Sequence, residues 1–171
     1  MIILKIILAI VIIGITTYLG ILKSKKLYDR EYILREMITF LIGVQNEIKY
    51  CLNLLPNAYE TSRMGLKTDL KHAIGNISLD MVKEEEFTIE RSIVENISKI
   101  EGLTEYDKNI FISTLKNLGK SNVEGQINII QNSIATIENQ IKEANEIKLK
   151  SSKMYRTIGM LSGLIIVVLF V

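Results

Sequence analysis

The sequence predicts an all-α protein: a helical bundle domain held between an N-terminal and a C-terminal membrane-spanning helix. Three observations carry that prediction. Apolar residues in the middle of the chain recur at helical spacing, and one stretch keeps a heptad rhythm. A single Pro and 10 Gly are too few for a turn-rich β-sandwich or barrel. The apolar excess, 48% of residues and a mean hydropathy of +0.25 beside 23% charged residues, gathers at the two ends. At 171 residues the chain has room for one domain.

Residues 1–22 form the first predicted span. Ile2–Leu22 is apolar apart from Lys5 and as a helix would reach ~31 Å, near the ~30 Å thickness of the hydrocarbon layer. A cleaved signal peptide fits poorly, because the run exceeds the usual apolar region and no small-residue cleavage site follows. Residues 157–171 form the second. They reach only ~22 Å, so Arg156 snorkelling to the headgroups or a protein neighbour must make up the length. Lys23, Lys25 and Lys26 follow the first span; Lys148, Lys150, Lys153 and Arg156 precede the second. The positive-inside rule then puts the central domain, residues 23–156, in the cytoplasm. Gly159-x-x-x-Gly163 gives the second span a small face on which two helix backbones can approach, and Thr16-x-x-x-Gly20 offers a similar face on the first. That packing leaves a homo-oligomer open.

Within the central domain, Leu27, Leu34, Ile38, Leu41, Ile48 and Leu52 form one stripe of a helix, and Ile33, Met37, Phe40 and Val44 form a second. Two stripes mean burial on more than one side. Pro56 suits the first turn of a new short helix. A further helix is expected over Lys67–Ile77, with Gly65 and Gly75-Asn76 as punctuation. Ile89, Ile93, Ile97 and Ile100 mark the next, and Gly102 its stop. Thr104 and Asp107 have the spacing of a capping box before Ile110, Phe111, Thr114, Leu115 and Leu118, and Gly119 ends that helix. Ser121-x-x-Glu124 reads as a full capping box for a long final helix. There Val123, Ile127, Ile130, Ile134, Ile137, Ile141 and Ala144 alternate steps of four and three, a heptad seam. The long first and last helices are expected to pair antiparallel.

Most site chemistry is excluded. Lys plus Arg is 21 and Asp plus Glu 19, a net charge of +2, which gives no field for nucleic acid. One Cys and one His rule out an intrachain disulfide and the common structural zinc sites. Gly119-Lys120-Ser121 ends like a phosphate-binding loop, but Thr114 stands where the pattern needs Gly and a helix precedes it. His72 reads as a solvated helix residue, Cys51 as a small buried hydrophobe, and Glu84-Glu85-Glu86 as a solvated first turn. No catalytic residue, cofactor or metal is expected, and the residues alone support a helical domain held at a membrane.

Four segments resemble the stage III sporulation protein AB family: Gln45-x-Glu47-Ile48-x-Tyr50; Leu54-Leu55-Pro56-Asn57-Ala58; Leu118-Gly119-x-Ser121-Asn122 with Gln126; and Lys153 through Leu164. The last combines charged, aromatic and Gly positions at the membrane entry. Asn122 stands where the family often has Asp, and residues 78–87 match little. The resemblance implies a cytoplasmic domain similar to those of type II secretion F-type platform proteins. It implies a place in the mother-cell membrane, in the complex that bridges to the forespore with other stage III A-operon proteins, and a secretion-type ATPase as cytoplasmic partner. The runner-up is a helical membrane sensor or adaptor outside sporulation. A membrane hydrolase ranks third, for want of an acid/base cluster.

Overall fold

The structure, a computed structural model, describes residues 14, 15, 18, 28–83 and 86–170, with backbone alone for 86–88 and most of 151–170. Among these residues every regular element is helical. Helix α1 covers 28–46 and runs into a π-helical turn, Glu47–Cys51. Then come α2 Leu55–Arg63, α3 Asp69–Met81, α4 Glu86–Ser98, α5 Glu105–Asn117 and α6 Val123–Phe170. They form two compact units. One is Tyr32–Lys142; the other combines Met1–Glu31 with Glu143–Val171.

The Tyr32–Lys142 unit holds the core. On α1 the second predicted stripe, Ile33, Met37, Phe40 and Val44, is buried, and so are Leu34, Leu41 and Ile48 of the first, where Ile38 is half-buried and Leu27 lies outside the described residues. A helix covered on two sides must be the centre of its bundle. The Phe40 ring meets Tyr59 of α2 edge-on at 5.1 Å and Phe111 of α5 at 5.9 Å, both in the T-shaped geometry that aromatic quadrupoles favour. Gly43 brings α2 close, since a Cβ there would lie 2.8 Å from Ser62 Oγ. The Tyr59 hydroxyl is buried without a hydrogen-bond partner, and burial raises its pKa.

One polar contact crosses this core. Glu36, buried on α1 among Ile33, Met37 and Phe40, reaches the start of α3. The backbone N–H groups of Lys67 and Thr68 donate to its carboxylate at 2.7 and 3.0 Å, and the Thr68 hydroxyl donates at 2.5 Å. Thr68 is itself the N-cap of α3, accepting from the Leu70 N–H. The first N–H groups of a helix have no partner inside it, and a carboxylate is favoured there by the helix dipole. Glu36 thus fixes α3 against α1 from outside the helix.

Several helix boundaries follow the sequence and several depart from it. Pro56 sits in the first turn of α2, and Thr104 with Asp107 forms the capping box of α5. Gly102 and Gly119 both have positive φ, 88° and 85°, after α4 and α5. By contrast α3 does not stop at Gly75-Asn76 but runs to Met81; Gly75 is buried, and a Cβ there would press on the Arg63 guanidinium at 3.0 Å. It is a close-packing position, not a breaker. Leu52 ends the first helix in the left-handed region and is exposed, so the stripe closes at Ile48. The capping box at Ser121 and Glu124 does not form. Asn122 caps α6 instead, its Oδ1 accepting from the Gly125 N–H at 2.9 Å, which shifts the cap by one residue.

Helix α6 is continuous, as the absence of a breaker implies. Its seam is graded. Ile130, Ile137 and Ala144, seven residues apart, are buried, whereas Ile127, Ile134 and Ile141 are half-buried and Val123 is exposed. Thr114 Oγ1 of α5 donates to the Ile110 carbonyl and lies 2.6 Å from Ser133 Oγ of α6, a polar link beside the seam.

The unit made of Met1–Glu31 and Glu143–Val171 carries a shielded ion pair. Lys148 Nζ donates to the Glu31 carboxylate, both side chains being largely buried, and lies 5.0 Å from the Tyr28 ring centroid. Among the described residues no helix is long and apolar enough to cross a membrane. The predicted first span, residues 1–22, lies outside them except at Gly14, Ile15 and Tyr18. Residues 157–170 of the second are helical, as the end of α6.

Replacing Ile130 or Ile137 by Asp should destabilise the domain by more than about 3 kcal/mol each, because a charge enters a site with no partner for it. The same change at the exposed Gln131 or Asn139 should stay within about 0.5 kcal/mol. Thermal melting of the full chain in detergent, followed by circular dichroism, measures both.

Candidate docking surface

The chain turns sharply after α1. The π-helical turn widens the backbone spiral, and Leu52 closes it at φ 52°, a left-handed conformation costly for a side chain with a Cβ. Glu47 holds the turn twice: its carbonyl accepts from the Leu52 and Asn53 N–H groups, and its carboxylate from Asn53 Nδ2 at 2.6 Å. The result leaves three large apolar side chains in solvent, Tyr50 at 71%, Leu52 at 77% and Leu54 at 76% exposure. Cys51 is exposed here too, not buried. Local desolvation and then the Glu47 carboxylate push its thiol pKa up, which disfavours a nucleophilic thiolate.

A second loop meets this corner. Gly119 has φ +85°, and a Cβ there would stand 2.9 Å from Leu55 Cδ1. Gln126, one turn into α6, latches the loop: its Oε1 accepts from the Gly119 N–H at 3.2 Å and its Nε2 donates to the Ser121 carbonyl at 3.0 Å. Gly119, Lys120 and Ser121 therefore make a helix-to-helix connection, not a phosphate cradle.

Beside the 118–120 loop and the start of α2 lies an open groove of about 280 Å³. Its floor is apolar, from Leu55, Pro56, Ile93, Leu115 and Leu118, with Met81 and Ile89 at its edge. Its rim is charged. Lys120 Nζ lies 2.8 Å and Lys116 Nζ 3.7 Å from the Glu90 carboxylate, and the Lys120 hydrogen bond is the main reason the Glu90 pKa is lowered.

A larger groove of about 630 Å³ runs along α3 and α4. Its polar groups are paired with one another. Asn76 donates to Asn96 at 2.9 Å, and Ser92 and Lys83 donate to Asp80 at 2.7 and 2.8 Å. These bonds, Lys83 first, lower the Asp80 pKa. They read as a polar zipper between two helices.

Of the site residues predicted from sequence, Thr16, Gly20, Lys23, Lys25 and Lys26 are outside the described residues; Gly159 and Gly163 stand on α6, as do Lys153 and Arg156, whose side chains are outside them. His72 is exposed on α3. Among the described residues no group of three or more His, Cys, Asp or Glu could hold a metal ion.

The family profile described as Stage III sporulation protein AB matches residues 5–171. The chain belongs to the stage III sporulation protein AB family. No curated protein and no solved structure matches it. Membership carries a role in stage III of sporulation, in a family of sporulation components that is not a known enzyme family. Two of the segments that carry the resemblance, Leu54–Ala58 and Leu118–Asn122 with Gln126, some sixty residues apart in sequence, meet beside the groove.

Gly119→Ala should cost about 1–3 kcal/mol, since it adds a Cβ at positive φ and against Leu55. Gly65→Ala, with nothing within 4 Å of the added Cβ, should stay within about 0.5 kcal/mol. Urea denaturation of the two variants checks the difference.

Proposed function

We propose that this chain is a non-enzymatic membrane platform of the complex linking mother cell and forespore. In this reading its terminal segments, 1–22 and 157–171, anchor it in the mother-cell membrane. The helical domain lies in the cytoplasm and holds partners: other stage III A-operon proteins and a secretion-type ATPase. The observation that carries the reading is that two of the segments carrying the resemblance, Leu54–Ala58 and Leu118–Asn122, line one apolar groove, with the exposed Tyr50, Leu52 and Leu54 preceding it in sequence, in a chain of a sporulation family. A cluster of large exposed apolar side chains marks a contact surface. The domain's buried polar side chains fit this reading, since most serve to join helices: Glu36 at the start of α3, Ser78 on the Pro56 carbonyl and Ser92 on the Asp80 carboxylate.

Within the membrane, Gly159 and Gly163 would supply the close-packing face toward the first span or another complex member, because helices in lipid associate through small residues. The test is affinity purification of the tagged full chain from sporulating cells. Other products of the same operon should co-purify. A double Gly159→Leu, Gly163→Leu variant should reach the membrane at normal level, since Leu favours insertion, yet lose the complex and lower spore yield. A chain that purifies alone from sporulating cells would overturn the platform reading.

A further inference from the structure

In the sequence Lys148 is one of four basic residues ahead of the second predicted span, where an ammonium group would face solvent or headgroups. The structure turns it inward. On α6 the buried row Ile130, Ile137 and Ala144 is continued one turn on by Lys148. On α1 the buried row Ile48, Leu41 and Leu34 is continued one turn back by Glu31. The two side chains are only 16% and 14% exposed, the Lys148 ammonium donates to the Glu31 carboxylate, and the Tyr28 ring centroid lies 5.0 Å from it. We propose that Lys148, held between Glu31 and Tyr28, is a register lock, which fixes the offset at which α1 and α6 meet.

Apolar rows alone leave that offset open. Both rows repeat every seven residues, so a slip of α6 by one heptad puts an apolar row back where one was. That slip moves Lys148 ~10 Å along α1. It takes the ammonium away from the carboxylate and into apolar surroundings, where an unpaired charge is expensive. A shielded ion pair is a poor source of stability, because removing both charges from water offsets most of their attraction. Its use is selection: the paired register is tolerated and the slipped ones are penalised. Ala144 is a small residue, so apolar burial is thin at this level and the lysine decides. Glu31 makes a further interaction as well, so Lys148 is the member of the pair that is changed first.

The test uses the full chain in detergent, with Cys51→Ser and with spin labels on Asp29→Cys and Leu149→Cys, both exposed positions. Pulsed electron double resonance reads the distance between the labels, and circular dichroism reads Tm. With Lys148 and Glu31 intact the labels should show one narrow distance. Lys148→Met should lower Tm by about 5 °C or more, because a shielded carboxylate loses its cation. It should also add a second distance population, displaced by up to ~10 Å. Adding Glu31→Met should return Tm to the native value or above it, while the second population remains. Lys148→Arg should keep the single distance. One narrow distance in the double variant would overturn the proposal, since the pair would then contribute stability and not register. Native Tm with a single distance in Lys148→Met would overturn it too. If Lys148→Met alone fails to fold, the double variant decides. Co-purification with the complex is no part of these readouts, so the platform reading stands or falls separately.

Discussion

The Glu36 carboxylate sits on the apolar face of α1 and takes three donors at the start of α3. A charge in that position is expensive to bury unless every lone pair finds a donor. Here the donors are the N–H groups of the helix N-cap Thr68 and of Lys67 just before it, with the hydroxyl of the cap, so one contact satisfies both sides. The placement of α3 depends on it. Helix α2 lies between α1 and α3 in sequence, so tying the two ends fixes the α2–α3 connection. The α3–α4 zipper of Asn76, Asp80, Ser92 and Asn96 then carries the arrangement onward, and Lys108 of α5 donates to the Ser98 carbonyl at the end of α4.

This chain of polar contacts runs from helix to helix through the domain. In the described core the carboxylates of Glu36 and Asp107 are engaged at helix starts, and the larger groove has its Asp80 engaged by Lys83 and Ser92. The floor of the smaller groove and the Tyr50–Leu54 corner are apolar. Apolar surface held in water by a left-handed Leu52 costs stability. Partner binding would recover the exposed area.

The fold class and most helices were legible because burial repeats at 3.6 residues, and this sequence keeps that period cleanly. Most of both α1 stripes, Ile93, Ile97 and Ile100, and Ile130 and Ile137 of the seam are buried where periodicity places them, while Ile38, Ile89, Ile127, Ile134 and Ile141 are half-buried and Leu52 and Val123 exposed. Local signals failed where tertiary contacts decide. Gly75 looks like a breaker, but its missing Cβ makes room for Arg63. Ser121 and Asn122 are both good caps, and the Gln126 latch on the Ser121 carbonyl leaves Asn122 to cap the helix. The groove was illegible because its walls come from α2, α4 and α5. Glu36 did leave a trace: a carboxylate among Ile33, Leu34, Met37 and Phe40 is out of place on any solvated face. Such an acid inside an apolar stripe signals a buried donor set somewhere else in the chain.

If Glu36 organises the domain, the amides of Lys67 and Thr68 are core hydrogen-bond donors although they precede the regular turns of α3. Native-state hydrogen exchange on the full chain in detergent, compared with Glu36→Gln, tests this directly. The account predicts that both amides exchange as slowly as the buried turns of α1 in the native chain, and that they are the amides most accelerated in the variant. Exchange of Lys67 and Thr68 at the rate of an open loop in the native chain would contradict it.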